Sequence, residues 1–197
     1  MLALYMTEIK GMIAPKRTAE LVEHLQEIPS QISEILSDVD PIKTFAKQYG
    51  FNEDVFYIGR GLDYSVSLEG ALKLKEVSYL HAEAYPAGEM KHGPIALLEP
   101  GFPVVAIVPA DHVHDKTVSN IQEVMARGAT CVAVATDGDE AVGALCEDTL
   151  WIPEVPEEKL VPIVAIFHLQ LLARYVARAR GCDVDKPRNL AKSVTVE

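Results

Sequence analysis

The chain has 197 residues, about half of them apolar, and carries a formal net charge of −11. That length suits one large domain, or a domain with a helical extension, and that apolar share can bury a substantial core. The acidic balance argues against a nucleic-acid backbone or an anionic membrane as the main partner, but leaves room for a small phosphorylated ligand held by local donors.

Residues 1–50 read as helical. The opening MLALYMTEIKG has a short apolar run and no basic leader, which makes it a poor signal peptide. Leu21, Val22, Leu25 and Ile28 recur at helical spacing, and Pro29 is expected to interrupt them. Ser30 or Ser33 could cap a following segment. Asp40-Pro41 marks a further break, and IKTFAKQYG closes a short helix at Gly50.

From residue 51 the pattern changes. VFYIG (55–59) reads as a strand, 65–81 as a helix, AEAY (82–85) as a short strand and GPIALL (93–98) as a short helix. PVVAIVPA (103–110), TCVAVAT (130–136) and DTLWIPEV (148–155) read as strands, with a helix over 115–128 between the first two. A long helix with a broad apolar face follows over 161–181, its basic last turn suiting the helix dipole. VVAIV and CVAVA lack polar alternation, as strands buried on both faces should. Strands alternating with helices imply a parallel sheet covered on both faces, with ligands at the carboxyl ends of its strands. The loops at 59–64, 85–93, 109–114 and 136–140 are therefore the ones to inspect. The apolar strand runs are too short to span a bilayer. Cys131, Cys146 and Cys182 lack metal-ligand spacing and read as reduced, packed thiols of a cytosolic protein.

One stretch, EGALKLKEVSYLHAEAYPAGEMKHGP (69–94), carries charge where a packed helix would not need it. At 100° per residue, Glu69, Lys73, Glu76 and Leu80 share a narrow sector. Val66 and Val77 flank it on one side, Leu68 and Leu72 on the other, and a second polar sector of Ser67, Lys75 and Ser78 lies opposite. The plainer alternative is a solvated ion-pair stripe worth a few tenths of a kcal/mol per pair. The functional alternative is a carboxylate partly walled by apolar groups, where desolvation raises its pKa and Lys73 opposes the rise; a pKa nearer neutrality would suit it to removing a proton next to a carbonyl. His92 lies in a Gly-flanked loop at the expected ligand edge. His81, His112 and His114 have weaker settings, and His168 reads as structural. GRG (59–61) lacks both GxGxxG and the P-loop pattern, and only Ser65 and Ser67 follow as hydroxyl donors. The chain is poorly equipped to hold a phosphate by itself. The tail 183–197, after Gly181 and through Pro187, reads from composition as a frayed terminus.

GRGLDYSVSLEGALKLKE, AEAYPAGEMKHGP and DKPRNLAKSVTVE, in that order, resemble the glucosamine-6-phosphate synthase family over roughly 51–197. The resemblance implies an α/β fold: a three-layer, flavodoxin-like SIS (sugar isomerase) parallel sheet flanked by helices, with a helical N-terminal extension. It also implies a division into a helical link (1–50) from a preceding SIS half, an SIS subdomain (51–182) and a tail (183–197) that closes the site. It implies Glu76 as the base, Lys192 as the Schiff-base amine, and His92 as a ring-opening group reaching the site of a neighbouring subunit. It further implies that Ala191 contributes backbone to the substrate pocket, that Glu69 and Lys73 support Glu76, and that Arg188 helps fold the tail over the site. The expected partners are fructose 6-phosphate or glucosamine 6-phosphate, the family's glutaminase and first SIS domains, and a second copy in a homodimer. Neither a metal nor an organic cofactor is implied. The absence of those two parts from this sequence makes it resemble an excised piece, expected to be inactive alone. The alternatives are a regulatory sugar-phosphate-binding module and a dimer-forming structural half-domain.

Overall fold

The computed structural model describes residues 1–50, 52–146 and 148–190. Three helices come first: α1 (Leu2–Ile9), α2 (Pro15–Ser37) and α3 (Asp40–Tyr49). The α/β part follows as β1 (Asp54–Gly59), α4 (Leu62–Ser78), β2 (His81–Pro86), β3 (Pro103–Val108), α5 (His114–Met125), β4 (Thr130–Thr136), α6 (Glu140–Leu145), β5 (Asp148–Ile152) and α7 (Val161–Ala179). Short 3-10 segments cover Ala87–His92, Pro94–Leu97 and Glu158–Leu160.

The five strands form one sheet in the order β2-β1-β3-β4-β5, with every described pairing parallel. All six residues of β3 are buried, as an apolar run without alternation requires. Tyr57, Val105, Ile107, Val132 and Val134 face a core shared with α2, α3, α4 and α7. Phe56, Ile58, Val104, Ala106 and Ala133 face a second core with α5, α6 and the 87–92 segment. The architecture is therefore the expected three-layer α/β sandwich. The chain winds to opposite sides of β1, and that reversal opens a crevice at the carboxyl ends of β1 and β3.

Two elements depart from expectation. Pro29 lies inside α2 instead of breaking it. The helix is held across the proline by Ile28 and Ile35, both buried in the first core, and Ser33 donates to the Pro29 carbonyl at 2.8 Å. Burial outweighs the single backbone bond that proline removes. The helix expected over 65–81 starts at Leu62 and stops at Ser78, so Leu80 leaves the charge stripe and enters the core.

Glu158–Ala179 is apolar enough to cross a bilayer by length and composition, with a mean hydropathy of 1.7. Half of it is buried in the fold, where it packs on α3 and α4, so it is a core helix. Its His168 donates from Nε2 to the Trp151 carbonyl at 2.8 Å, and burial pushes its pKa down, so it is neutral and structural, as expected. All three cysteines are free, and Cys131 and Cys146 are buried.

Gly70 sets how closely α4 approaches α7. A β-carbon there would meet Leu169 Cδ1 at 2.5 Å and Tyr57 Cε1 at 3.0 Å, both wholly buried side chains. Gly70→Ala therefore gains helix propensity but forces overpacking, for an expected net loss of about 1–3 kcal/mol. Urea denaturation should show a lower midpoint with an unchanged slope.

Candidate active site

The turn from β1 into α4 is tight: a β-carbon at Gly59 would lie 2.6 Å from the Asp63 backbone. That turn fixes where α4 begins. From there 3.6-residue periodicity places Glu69, Lys73 and Glu76 in one row. Lys73 Nζ is 2.8 Å from Glu76 Oε2 and 3.6 Å from Glu69 Oε1. The three side chains are partly covered, Glu76 the most so at 26 % exposed. The hydrogen bond to Glu76 outweighs partial burial and raises the Lys73 pKa, which keeps the ammonium charged between two carboxylates.

The flanks of this row are unequal. Val66 is buried and Val77 half-buried, whereas Leu68 and Leu72 are 45 % and 43 % exposed. The row thus runs along the border between the core and an open apolar strip. The sector read as a second polar one is largely the buried face. Ser67 and Ser78 are fully buried and donate to the Asp63 and Leu74 carbonyls one turn back, so their hydroxyls are satisfied within the helix; Lys75 alone of that sector is exposed.

The end of α4 is where the tail arrives. Ser78 offers its carbonyl to Arg180 Nε at 3.1 Å, and Arg180 Nη1 also reaches the Gly50 carbonyl at 2.9 Å. A cation on the last carbonyls complements the helix dipole. Beyond it, the Arg188 N–H donates to the Tyr79 hydroxyl at 2.8 Å, and its guanidinium carbon lies 4.1 Å from the Tyr79 ring centroid. Arg188 therefore contacts Tyr79, the residue three positions after Glu76 that caps α4. Ala191 and Lys192 lie outside the described residues.

His92 is placed elsewhere. It ends the 3-10 segment after β2, is 66 % exposed, and its Nε2 is 4.0 Å from Glu89 Oε2. Because α4 runs antiparallel to the strands, Glu76 in its last turn lies toward the edge where β2 begins, and His92 follows the edge where β2 ends. The fold does not bring the two together within one copy.

The carboxyl-edge crevice, about 420 Å³, is lined by Leu62, Asp63, Asp111, His112, Glu158 and Lys159 among others. Asp63 is 3 % exposed, and burial, then the charges of Asp111 and Glu158, push its carboxyl up to about 8. Asp111, His112 and Glu158 bring donor atoms within 4.8 Å of one another, so these are the described residues best placed to hold a cation. Three carboxyl groups line this crevice against one lysine, a poor seat for phosphate that agrees with the poor supply of anion donors in the sequence. Next to it, His114 Nε2 is 2.6 Å from Asp139 Oδ2. Sequence reasoning missed Asp63, Tyr79 and Arg180. Only Asp63 had a visible signal, a carboxylate in the first helical turn after the β1 turn.

Comparison with known proteins fits this geometry. The SIS domain model matches residues 52–180. The glutamine–fructose-6-phosphate aminotransferases (isomerizing) of Symbiobacterium thermophilum and Caldanaerobacter subterraneus are 49 % and 46 % identical over all of this chain. The chain spans about a third of the length of either relative, 32 % and 33 %. A solved structure, the C-terminal domain of glucosamine-fructose-6-phosphate aminotransferase from Francisella tularensis, superposes with a TM-score of 0.86 at 37 % identity, covering 94 % of this chain and 52 % of that one. The chain belongs to the SIS domain family and is homologous to the C-terminal SIS region of these aminotransferases.

Proposed function

We propose that this chain is the C-terminal isomerase portion of an enzyme that converts fructose 6-phosphate and glutamine to glucosamine 6-phosphate and glutamate. The observation that carries the reading is the convergence at the end of α4: Glu76 ion-paired to Lys73, with the start of the tail seated on Tyr79 three residues later. In this reading Lys192 condenses with the open-chain ketose and expels water, which makes the C1–H more acidic. Ammonia then adds at C2 and displaces the Lys192 amine, leaving the sugar's own C2 imine, and Glu76 takes a proton from C1 and returns it at C2 to give the 2-amino aldose. Glu69 and Lys73 hold the Glu76 carboxylate in place. Ala191 lines the pocket with backbone, and Arg188 seats the tail that covers it.

His92 serves the site of a second copy, which accounts for its distance from Glu76 and makes a homodimer the working unit. Residues 1–50 link to a preceding SIS half that supplies the phosphate donors, 51–182 form the SIS subdomain, and 183–197 close the site. A glutaminase part supplies ammonia. Three free cysteines suit a cytosolic setting. The reading as a stand-alone sugar-phosphate sensor is disfavoured by the acid-lined crevice.

The purified chain alone is expected to turn over no fructose 6-phosphate. The test is a chimera in which this chain replaces the corresponding third of the Symbiobacterium relative. It should make glucosamine 6-phosphate, and borohydride should trap the sugar on Lys192, with trapping lost in Lys192→Ala. A folded chimera that hydrolyses glutamine but makes no amino sugar sinks the proposal.

A further inference from the structure

We infer that Arg60 is a positioning residue for His92: it clamps the 87–92 segment onto α5 and so fixes the mount from which His92 leaves its own copy. The inference rests on the reading of His92 given above.

The GRG run (59–61) carries no phosphate-loop pattern, and its two glycines are taken up by the turn from β1 into α4. Gly59 lies against the Asp63 backbone, and Gly61 takes a positive φ of 55 as the N-cap of α4. The arginine between them faces another element. The parallel register pairs Gly59 with Pro86, so β1 and β2 leave the sheet side by side. Arg60 comes one residue later on the first chain run, and Gly88 two residues later on the second. A β-carbon at Gly88 would lie 2.7 Å from Arg60 Nη2 and 3.2 Å from Arg60 Cζ. Gly88 is not at positive φ. What glycine provides there is close approach: the guanidinium occupies the space of the missing side chain.

The guanidinium is also held from its other side. Arg60 Nε donates to Asn120 Oδ1 at 2.9 Å, and Asn120 Nδ2 donates to Glu123 Oε2 at 3.1 Å. Asn120 is buried on α5, so its amide is a fixed post. Glu123 Oε1 in turn lies 3.6 Å from Lys91 Nζ. Arg60, Asn120, Glu123 and Lys91 therefore grip the 87–92 segment near both of its ends. Ala87 and Met90 pin its inner side in the second core. His92, the next residue, stands exposed, with its Nε2 4.0 Å from Glu89 Oε2. An exposed imidazole at the end of so firmly held a segment is arranged to act outside its own copy. Packing on Gly88 while bonding Asn120 takes the planar fork of arginine, which the point charge of lysine does not supply.

Arg60→Met keeps the aliphatic stem and removes the fork. In the chimera its kcat should fall about tenfold, with KM for fructose 6-phosphate within about twofold. Arg60→Lys should not rescue it. The decisive measurement is a mixed dimer, one copy carrying Arg60→Met and the other Glu76→Gln, purified through two different tags. One of its sites combines an intact Glu76 with a His92 whose own Arg60 is intact. The mixed dimer should therefore run at about half the wild-type rate, above either parent. An arginine that served only the site of its own copy would leave it at about a twentieth. That result, or an unchanged kcat in Arg60→Met, overturns the inference. If Arg60→Met does not fold, Gly88→Ala carries the same expectation, because its methyl displaces the flexible end of the Arg60 side chain. A mixed dimer of His92→Ala with Glu76→Gln that recovers no activity would instead defeat the reading of His92. Hydrogen exchange in the purified chain would then decide the clamp. The 88–92 amides should exchange about tenfold faster in Arg60→Met, and unchanged exchange overturns it.

Discussion

Glu76→Gln in the chimera is expected to cut glucosamine 6-phosphate formation by about 10²–10⁴-fold, the usual contribution of a positioned general base, while glutamine hydrolysis continues. Glutamine matches glutamate in size and keeps an oxygen that can accept from Lys73, whose Nζ now lies 2.8 Å from the carboxylate. Lys73 also retains Glu69 at 3.6 Å. Because these side chains are partly exposed, the lost ion pair should cost no more than about 1 kcal/mol of stability. A large loss of product in a protein of near-normal stability would thus report lost chemistry. The measurement is amino-sugar formation and glutamate release on the same preparation. Unchanged amino-sugar formation would return the stripe to the plainer alternative, a solvated row of ion pairs.

The exposed leucines bear on that choice. A solvated ion-pair row would sit on a broadly polar face, yet Leu68 and Leu72 stand open beside Glu69 and Glu76. An apolar strip next to a half-covered carboxylate is what a face awaiting another domain looks like. Under the proposed function, that strip would give Glu76 a dry wall once a preceding SIS half packs on it.

Much of the fold was legible because burial writes itself into local pattern. VVAIV and CVAVA announced strands covered on both faces, and both strands are buried through their centres. The alternation of strand and helix announced a parallel sheet, but not the order β2-β1-β3-β4-β5, which depends on long-range pairing. The six-residue α6 escaped periodicity because it spans less than two turns, although Asp139 caps it by accepting from the Val142 N–H at 3.0 Å. Ser67 and Ser78 misled because their hydroxyls bond within their own helix, which lets polar residues occupy a buried face. Within the site, the row of Glu69, Lys73 and Glu76 was readable from spacing alone. The tail was not: composition said frayed, the family resemblance said lid, and the ring that seats Arg188 follows from a backbone conformation that no spacing encodes.

Asp63→Asn should stabilise the chain at high pH and change it little at low pH. The carboxyl is 3 % exposed and pushed up to about 8 from an ordinary value of 3.8, chiefly by burial. Between those values the folded state keeps a proton that the unfolded state has lost. Stability from this group is therefore fully present below about pH 4 and drains away as pH rises through about 8. The linked free energy is on the order of a few kcal/mol, or roughly 5–10 °C in Tm for a chain of this size. Asparagine carries no charge at any pH, so it removes that slope while filling the same space. Melting both proteins at pH 5 and pH 9 should show a stabilising shift that is small at pH 5 and several-fold larger at pH 9. An equal shift at both would mean that Asp63 is ionised throughout, with some cation in the crevice taking the place of its proton. With Asp63 protonated, Asp111 and Glu158 still outnumber Lys159 at this edge of the sheet, which makes it a poor seat for a phosphate.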